Sequence, residues 1–176
     1  GDGDCAGIGG NHMIHAAKRN VDLTVIMMSN YIYGMTGGQR APTTPYGAIT
    51  KTSPLGNEEH PFDLFQLLKG AGATFYARCS VTHPVQLQNA IVEGIKHKGF
   101  SFIEVLSPCP TTAGRNIFNF KTPSEMYDWY ESQVCMYKPD SIQSEDGKIA
   151  LGVLYVDDTR EELCEVQAEK KEAASK

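Results

Sequence analysis

The sequence lacks the closely spaced cysteines from which a complete metal centre or a disulfide framework is built. It has five cysteines, an odd number, and no two of them are near each other in the chain. This spacing excludes a C-x-x-C metal site formed by this chain alone, and the odd count argues against the disulfide framework of a small secreted protein. We therefore expect reduced thiols and a cytoplasmic protein.

Long apolar runs and an excess of positive charge are also missing. No run reaches the roughly 18–20 apolar residues that a membrane span requires, and no signal peptide is recognisable. The formal net charge is −5, whereas nucleic-acid-binding surfaces carry basic patches. The sequence thus predicts a protein that binds neither a membrane nor nucleic acid.

The first residues lack an initiator methionine. The chain opens on Gly1, inside a glycine-rich turn of the type that follows a β-strand. We expect an N-terminally truncated piece of a longer chain, with the first strand of the fold missing. The glycines at positions 1, 3 and 7 do not have the G-x-G-x-x-G spacing, which argues against a dinucleotide site.

What is present is the composition of a globular domain. The 176 residues are 41% apolar and 21% charged, which is enough for a sizeable core. Residues 157–176 differ, because they contain seven acidic and four basic side chains and so carry −3 of the net charge. We interpret residues 1–156 as one domain and 157–176 as a charged tail that is partly helical.

Hydrophobic periodicity predicts alternating strands and helices. Apolar runs indicate strands at 23–28, 73–77, 101–106 and 149–156, and amphipathic stripes with capping residues indicate helices at 13–19, 61–69, 84–98 and 122–137. This order predicts an α/β fold, with a mostly parallel sheet and helices on both faces. The continuous apolar run at 23–28 predicts a strand that is buried on both faces.

Chemically distinctive residues follow the predicted strands. Asn30 comes just after the strand at 23–28, Cys109 comes after the strand at 101–106, and Asp2 would follow the strand that we expect to be missing. Ligands of open α/β sheets bind beyond the carboxyl ends of the strands. Mg2+ accepts a carboxylate, an amide oxygen and a backbone carbonyl beside phosphate oxygens, and Asp2, Asn30 and the carbonyl of Ile32 are such a set.

The Gly-Asp-Gly of residues 1–3, followed by Asn30 after 26 residues, resembles the signature of thiamine diphosphate (TPP) enzymes. Its glycines would let the backbone approach phosphate. Further motifs make the sequence similar to the β subunit of 2-oxoacid:ferredoxin oxidoreductases, in particular the 2-oxoglutarate branch (2-oxoglutarate synthase). They are Gly7-Ile8-Gly9-Gly10-Asn11-His12, Tyr33-Gly34-Met35-Thr36-Gly37-Gly38-Gln39, Pro42-Thr43-Thr44-Pro45 and Ser107-Pro108-Cys109-Pro110-Thr111.

The resemblance covers residues 1–156 and implies a TPP-binding fold with two metal centres. Asp2 and Asn30 through their side chains, and Ile32 through its carbonyl, would bind Mg2+. Cys109 would be one ligand of a [4Fe-4S] cluster, whose other ligands lie outside this sequence. The cofactor would contact Gly1, Gly3, Asp4, Gly34, Met35 and Thr36, and Met35 would support its bent conformer.

The implied activity is the oxidative decarboxylation of 2-oxoglutarate to succinyl-CoA. TPP adds to the 2-oxo carbon, electrons leave singly through the cluster to ferredoxin, and coenzyme A takes the acyl group. The chain would act with an α subunit, and γ and δ subunits are further candidate partners. No residue is assigned as catalytic, because the glutamate that activates TPP would come from a partner subunit or from the missing N-terminal part.

Three other functions remain open at this stage. The pyruvate and branched-chain 2-oxoacid branches share these motifs. A truncated chain would be a non-catalytic module that keeps part of the TPP–Mg2+ site. A TPP-dependent carboligase of the acetolactate type shares the Gly-Asp-Gly and asparagine signature but needs no cluster.

Individual residues also have structural alternatives. Asp2 and Asn30 are residue types common in turns, Met35 would also suit core packing, and Cys109 would also suit a buried free thiol. Arg40 and Lys51 lie in the long loop, where they are either solvated charges or ligands of a substrate carboxylate or of coenzyme A phosphates.

Overall fold

A computed structural model describes residues 1–137 and 147–175. The predicted domain and tail therefore include residues outside these stretches, namely 138–146 and 176. The helices are α1 (Gly10–Arg19), α2 (Leu64–Ala71), α3 (Pro84–Lys96), α4 (Pro123–Ser132) and α5 (Leu163–Ala174). In the described stretches, no helix is both long enough and apolar enough to cross a membrane.

The strands are β1 (Leu23–Ser29), β2 (Ile32–Tyr33), β3 (Gln39–Arg40), β4 (Phe75–Ser80), β5 (Phe100–Leu106), β6 (Val134–Met136) and β7 (Ile149–Val156). Two short π-helical turns, Gly3–Ile8 and Pro110–Gly114, precede α1 and follow β5.

Five of these strands form one sheet in the order β1-β5-β4-β7-β6. Strands β1, β5 and β4 are mutually parallel and β6 is parallel to β7, whereas β7 is antiparallel to β4. The predicted α/β fold with a mostly parallel sheet is thereby confirmed. Strands β2 and β3 form a separate antiparallel pair at the start of the long loop.

Side chains alternate along β5, an interior strand of the sheet. Phe100 and Phe102 pack in a cluster with residues of α1 and α2, and Ile103 and Val105 pack in a cluster with residues of α3. Helices therefore cover both faces of the sheet, as predicted. All residues of β5 are buried, which explains why five of its seven side chains are apolar.

The prediction that the strand at 23–28 is buried on both faces is wrong. Among the described residues, β1 pairs only with β5 and lies at the edge of the sheet. Leu23, Ile26 and Met28 are consequently 45%, 42% and 44% exposed. An apolar run indicates a strand, but it does not determine how many neighbours that strand has.

The predicted helix at 61–69 is displaced by two or three residues at each end. Asp63 caps α2 by accepting a hydrogen bond from the backbone N–H of Gln66 at 3.1 Å, so the helix starts after Asp63 and not at Pro61. It ends at Gly72, whose φ of 96° is left-handed, and Gly70 lies within the helix.

The fourth predicted helix starts correctly and ends early. The N–H of Glu125 donates to Oγ1 of Thr122 at 3.2 Å, and the Glu125 carboxylate accepts from the N–H of Lys121 at 2.9 Å. This arrangement resembles the expected capping box. The helix stops at Ser132, because Val134–Met136 join the sheet beside β7.

Asn20 connects the end of α1 to three other segments. It is buried, and its φ of 51° ends the helix in the left-handed conformation. Its Oδ1 accepts from the N–H of Phe100 at 2.9 Å and from the hydroxyl of Thr74 at 2.8 Å. Its amide nitrogen donates to the carbonyls of Arg160 and Glu161 at 3.1 and 3.0 Å, which ties the segment before α5 to the sheet.

An ion pair between partly buried Arg78 and buried Glu104 spans β4 and β5. Arg78 Nε donates to Glu104 Oε2 at 2.7 Å, and the same oxygen accepts from the hydroxyl of Tyr76 at 2.7 Å. Burial, followed by the nearby carboxylate, raises the pKa of Tyr76 well above its ordinary value. The phenol therefore remains a hydrogen-bond donor to Glu104.

Candidate functional site

The register of β1 and β5 brings two distant motifs to one edge of the sheet. Ser29 pairs with Leu106, and the N–H of Ser107 donates to the carbonyl of Ser29 at 2.9 Å. The chain therefore leaves both strands at the same level. The segment that starts at Asn30 and the segment that contains Cys109 begin side by side.

A cavity of about 240 Å3 lies at this edge. All nine residues that the sequence assigned to TPP or Mg2+ line it, and Tyr33 is the tenth: Gly1, Asp2, Gly3, Asp4, Asn30, Ile32, Tyr33, Gly34, Met35 and Thr36. Residues from both ends of a 36-residue stretch thus form one concave surface. Their roles toward a ligand remain predictions.

The carboxylate of Asp2 is held in one orientation. Its side chain is almost completely buried. Oδ2 accepts one hydrogen bond from the N–H of Tyr31 at 2.8 Å and another from the hydroxyl of Thr43. Within the described part of the chain, Oδ1 accepts none, so one carboxylate oxygen is left for a ligand.

The turn after Asn30 has an uncommon backbone conformation. Tyr31 has a φ of 67°, which is unfavourable for a bulky residue. Its carbonyl accepts from the hydroxyl of Thr44 at 2.6 Å, and its ring stacks on Tyr130 with centroids 6.3 Å apart. The N–H of Ile32 donates to Oδ1 of Asn30 at 3.1 Å, and an amide oxygen keeps a second lone pair for a cation.

The side chain of Tyr33 occupies the space beside Gly3 and Gly7, which explains why these two positions of the first motif are glycines. Its hydroxyl donates to the carbonyl of Gly3 at 2.5 Å. A Cβ on Gly3 would lie 2.5 Å from the Tyr33 ring, and a Cβ on Gly7 would lie 2.7 Å from its hydroxyl oxygen. The missing side chains at Gly3 and Gly7 therefore make room for Tyr33, a reason that the sequence did not reveal.

Met35 lies at the rim of the cavity and is fully exposed. The alternative that Met35 packs in the core is therefore wrong. An exposed thioether beside a cavity is available for contact with a bound molecule, because Met side chains adapt to irregular apolar surfaces.

Cys109 does not line the cavity, but its thiol lies directly behind it. A Cβ on Gly34 would be 3.2 Å from Cys109 Sγ. A second contact joins the same two loops, because a Cβ on Gly38 would be 2.8 Å from Cγ2 of Thr112. The loop at 34–38 and the cysteine loop at 109–114 therefore pass so close to each other that side chains at Gly34 and Gly38 would crowd Cys109 and Thr112.

The environment of Cys109 favours its thiolate. Burial alone would raise the pKa of this thiol, but hydrogen bonds from the backbone N–H groups of Ala113 and Thr112, with the nearby hydroxyls, outweigh it and lower the pKa from its ordinary value. The turn Pro110–Gly114 supplies those N–H groups. By contrast, burial raises the pKa of Cys79 to about 11, and thiolates are the form that binds metals.

No group of three or more His, Cys, Asp or Glu side chains in residues 1–137 and 147–175 could hold a metal ion. Any cluster at Cys109 would therefore need ligands from outside the described residues. A Mg2+ site does not need such a group, since Mg2+ usually keeps phosphate and water ligands beside one or two carboxylates.

The two loop cations differ in their surroundings. Arg40 forms an ion pair with Glu59 at 2.8 Å and a hydrogen bond to Asn57 at 3.3 Å, so it belongs to the structure of the loop. The ammonium of Lys51 lies 2.8 Å from where a Cβ of Gly37 would be. In the described chain it forms no ion pair.

Sequence reasoning missed the two threonines that hold the site together, Thr43 and Thr44. Both are buried in a loop, where polar side chains are normally exposed. Their signal was the Pro-Thr-Thr-Pro segment, which contributed to the resemblance but had no assigned role. The sequence gives no indication of which distant groups these hydroxyls reach.

The family "Thiamine pyrophosphate enzyme, C-terminal TPP binding domain" matches residues 1–105. The chain is 48% identical over 168 residues to 2-oxoglutarate synthase subunit KorB of Methanothermobacter marburgensis, covering 94% of this chain and 58% of that protein. It is 49% identical over 156 residues to the subunit of the same name from Methanocaldococcus jannaschii, covering 86% of this chain and 57% of that protein.

A solved structure is also similar, that of 2-oxoglutarate:ferredoxin oxidoreductase from Magnetococcus marinus with 2-oxoglutarate, coenzyme A and succinyl-CoA bound. The TM-score is 0.83 at 30% identity, and the match covers 99% of this chain and 60% of that one. The chain thus spans less than two thirds of the length of these relatives.

Proposed function

The chain belongs to the thiamine pyrophosphate enzymes, of which it carries the C-terminal TPP-binding domain, and on this premise we propose that it is part of the β subunit of a 2-oxoglutarate:ferredoxin oxidoreductase. The complete enzyme would convert 2-oxoglutarate to succinyl-CoA and reduce ferredoxin. The names of the relatives support the choice of 2-oxoglutarate. The similar solved structure, with its bound 2-oxoglutarate and succinyl-CoA, supports the reaction.

One observation carries this proposal. The nine candidate residues for TPP and Mg2+ line a single cavity, and the thiol of Cys109 lies against the backbone of one of them, Gly34. A TPP-dependent carboligase has no iron–sulfur cluster and would need the cavity but not the thiol. A thiol with a lowered pKa directly behind the cavity suits an enzyme that removes electrons from the cofactor site.

The residues present fit the diphosphate and its metal. Asp2 has a free carboxylate oxygen, and Asn30 and Ile32 add an amide oxygen and a carbonyl, which are hard donors of the kind that Mg2+ prefers. TPP, when bound, supplies a nucleophilic carbon and an electron sink for the decarboxylation of a 2-oxoacid. Gly1, Gly3, Asp4, Gly34, Met35 and Thr36 would contact it, with Met35 against its rings.

Cys109 would contribute one ligand to a [4Fe-4S] cluster, which takes four thiolates in all. The other three ligands would come from residues outside the described chain. An α subunit would complete the site, and ferredoxin would accept the electrons. The glutamate that activates TPP would come from a partner subunit or from chain that precedes this sequence. The proposed location of this enzyme is the cytoplasm.

The metal site is tested with Asp2→Asn in the complete enzyme, purified with its partner subunits. Asparagine keeps the acceptor for Tyr31 and Thr43 but loses the charge, so the fold should persist. We expect Mg2+-dependent TPP binding, measured by calorimetry, to weaken at least about 100-fold, because even residues that only support metal ligands contribute about 10–100-fold. Asp128→Asn, on the exposed face of α4, is the matched control.

The cluster assignment is tested with Cys109→Ser, and Cys135→Ser is its control. Loss of iron and of ferredoxin reduction in Cys109→Ser alone supports the proposal, whereas unchanged iron and electron transfer would favour a cluster-free carboligase. A panel of 2-oxoacids tests the substrate. An enzyme that reduces ferredoxin with pyruvate but not with 2-oxoglutarate would overturn the choice of branch.

A further inference from the structure

The hydroxyl of Thr43 reaches a residue that lies 41 positions away in sequence. It donates a hydrogen bond to Oδ2 of Asp2. Both side chains are buried, at 5% and 1% exposure. A buried hydroxyl paired with a buried carboxylate is a fixed contact, because neither group can exchange its partner for water without opening the loop.

The hydrogen bonds of Asp2 are distributed unequally over its two oxygens. Oδ2 receives both the Thr43 hydroxyl and the N–H of Tyr31 at 2.8 Å. In residues 1–137 and 147–175, Oδ1 receives none. Two donors on one oxygen fix the rotation of the carboxylate, and the other oxygen receives no donor from the described residues although Asp2 lines the cavity.

Thr43 is itself held in place by its neighbour. The hydroxyl of Thr44 donates to the carbonyl of Tyr31 at 2.6 Å and accepts from the N–H of Ala41 at 2.9 Å. The amide of Asn57 donates to the Thr44 carbonyl at 2.9 Å. Adjacent threonines therefore hold two parts of the site, Thr43 the Asp2 carboxylate and Thr44 the turn after Asn30.

From this geometry we propose that Thr43 is a positioning residue, which orients the Asp2 carboxylate so that Oδ1 is the oxygen that binds the metal of the cofactor. The inference rests on the proposed function, because it takes Asp2 to be a Mg2+ ligand. Partners that hydrogen-bond a metal-binding carboxylate commonly change metal affinity by about 10–100-fold when they are removed.

The test uses Mn2+ in place of Mg2+, because bound Mn2+ is observed directly by electron paramagnetic resonance. In the complete enzyme with saturating TPP, Thr43→Val removes the hydroxyl at nearly constant shape, and Thr43→Ser retains it. We expect Mn2+ affinity to fall about 10–100-fold in Thr43→Val and to stay close to the parent value in Thr43→Ser. At saturating Mn2+, Thr43→Val should also show an altered line shape.

Thr159→Val is the matched control. It removes a hydroxyl that donates to the Asp157 carboxylate at 2.6 Å in the exposed tail. This substitution should leave Mn2+ binding unchanged. Thermal unfolding without metal and TPP separates loss of stability from loss of metal affinity in every variant.

Two results would overturn the inference: parent-like Mn2+ affinity in Thr43→Val, or an equal loss in Thr43→Val and Thr43→Ser. Should Thr43→Val not fold, Thr43→Ala replaces it, and Thr43→Ser must then bind Mn2+ more tightly than Thr43→Ala. Asp2→Asn separates this inference from the proposed function. Parent-like Mn2+ binding in Asp2→Asn means that the metal site itself is wrong, whereas loss in Asp2→Asn but not in Thr43→Val overturns only the role of Thr43.

Discussion

Gly34→Ala probes the close approach between the loop at 34–38 and the cysteine loop at 109–114. The added methyl carbon would lie 3.2 Å from Cys109 Sγ and 3.9 Å from Oγ1 of Thr112, whereas non-bonded carbon atoms rest at about 3.5–4.0 Å. Gly34 is not in the left-handed region, so alanine adds no backbone strain. The methyl group must instead displace the Cys109 thiol by a few tenths of an ångström.

Gly34→Ala should lower both the stability of the protein and the rate of electron transfer. Alanine restricts the unfolded chain and stabilises by about 0.4–1 kcal/mol, while overpacking costs about 1–3 kcal/mol, so the net loss is about 1 kcal/mol. Because a misplacement of about 1 Å can cost about 100-fold in rate, a shift of about 0.3–0.5 Å should slow ferredoxin reduction roughly four- to tenfold.

On the proposed function, the assay is steady-state reduction of ferredoxin by the complete enzyme, with saturating 2-oxoglutarate, coenzyme A and TPP. The control is Gly70→Ala, because no atom lies within 4 Å of a Cβ at that helical position. It should stabilise the protein and leave turnover unchanged. A Gly34→Ala enzyme with the same turnover and cluster spectrum as Gly70→Ala would refute the reasoning. A loss of turnover caused only by weaker TPP binding would also refute it, because the methyl group would then clash with the cofactor and not with Cys109.

Three further substitutions test the framework behind the site. Asn20→Ala removes four hydrogen bonds and leaves a left-handed alanine, so urea unfolding should show a loss of about 4 kcal/mol. Glu104→Gln leaves the Arg78 guanidinium buried without a carboxylate and should cost about 3–5 kcal/mol, part of which the added change Arg78→Met should restore. The pKa of His97 is lowered from its ordinary value by burial, although Asp158 acts in the opposite direction. The unfolded chain therefore takes up a proton at His97 at a higher pH than the folded protein does. Neutral His97 contributes its full stabilisation above about pH 6.5, and this contribution declines as the pH falls through the lowered pKa. His97→Gln should flatten the dependence of the unfolding free energy on pH below 6.5, and an unchanged slope would contradict this.

The fold was predictable where local chemistry decides it. The capping residues of α4 and the buried run of β5 identified those elements, since a helix start and a fully buried strand have signals within a few residues. The edge position of β1 and the antiparallel direction of β7 depend on which strands meet. No pattern within either segment records that choice, so both were missed.

The candidate site was predictable to the same extent. The glycine and asparagine motifs identified nine residues that line one cavity, because each motif is continuous in sequence. The hydrogen bond from Thr43 to Asp2 and the packing of Tyr33 against Gly3 join segments about 30–40 residues apart. Such contacts leave no periodic pattern and no fixed spacing in the sequence, because only folding brings the groups together.

The same long-range contacts determine whether the site exists before any ligand arrives. The Asp2 carboxylate is oriented by Thr43 and Tyr31, and the left-handed Tyr31 is held by Thr44 and the ring of Tyr130. Every one of these partners is a protein group. The proposed metal ligands are therefore ordered before binding, and binding carries no cost for ordering them, which is the main way in which a rigid site gains affinity. It follows that substitutions at these supporting positions should weaken metal binding by disordering the free protein, even though none of the supporting side chains would touch the metal.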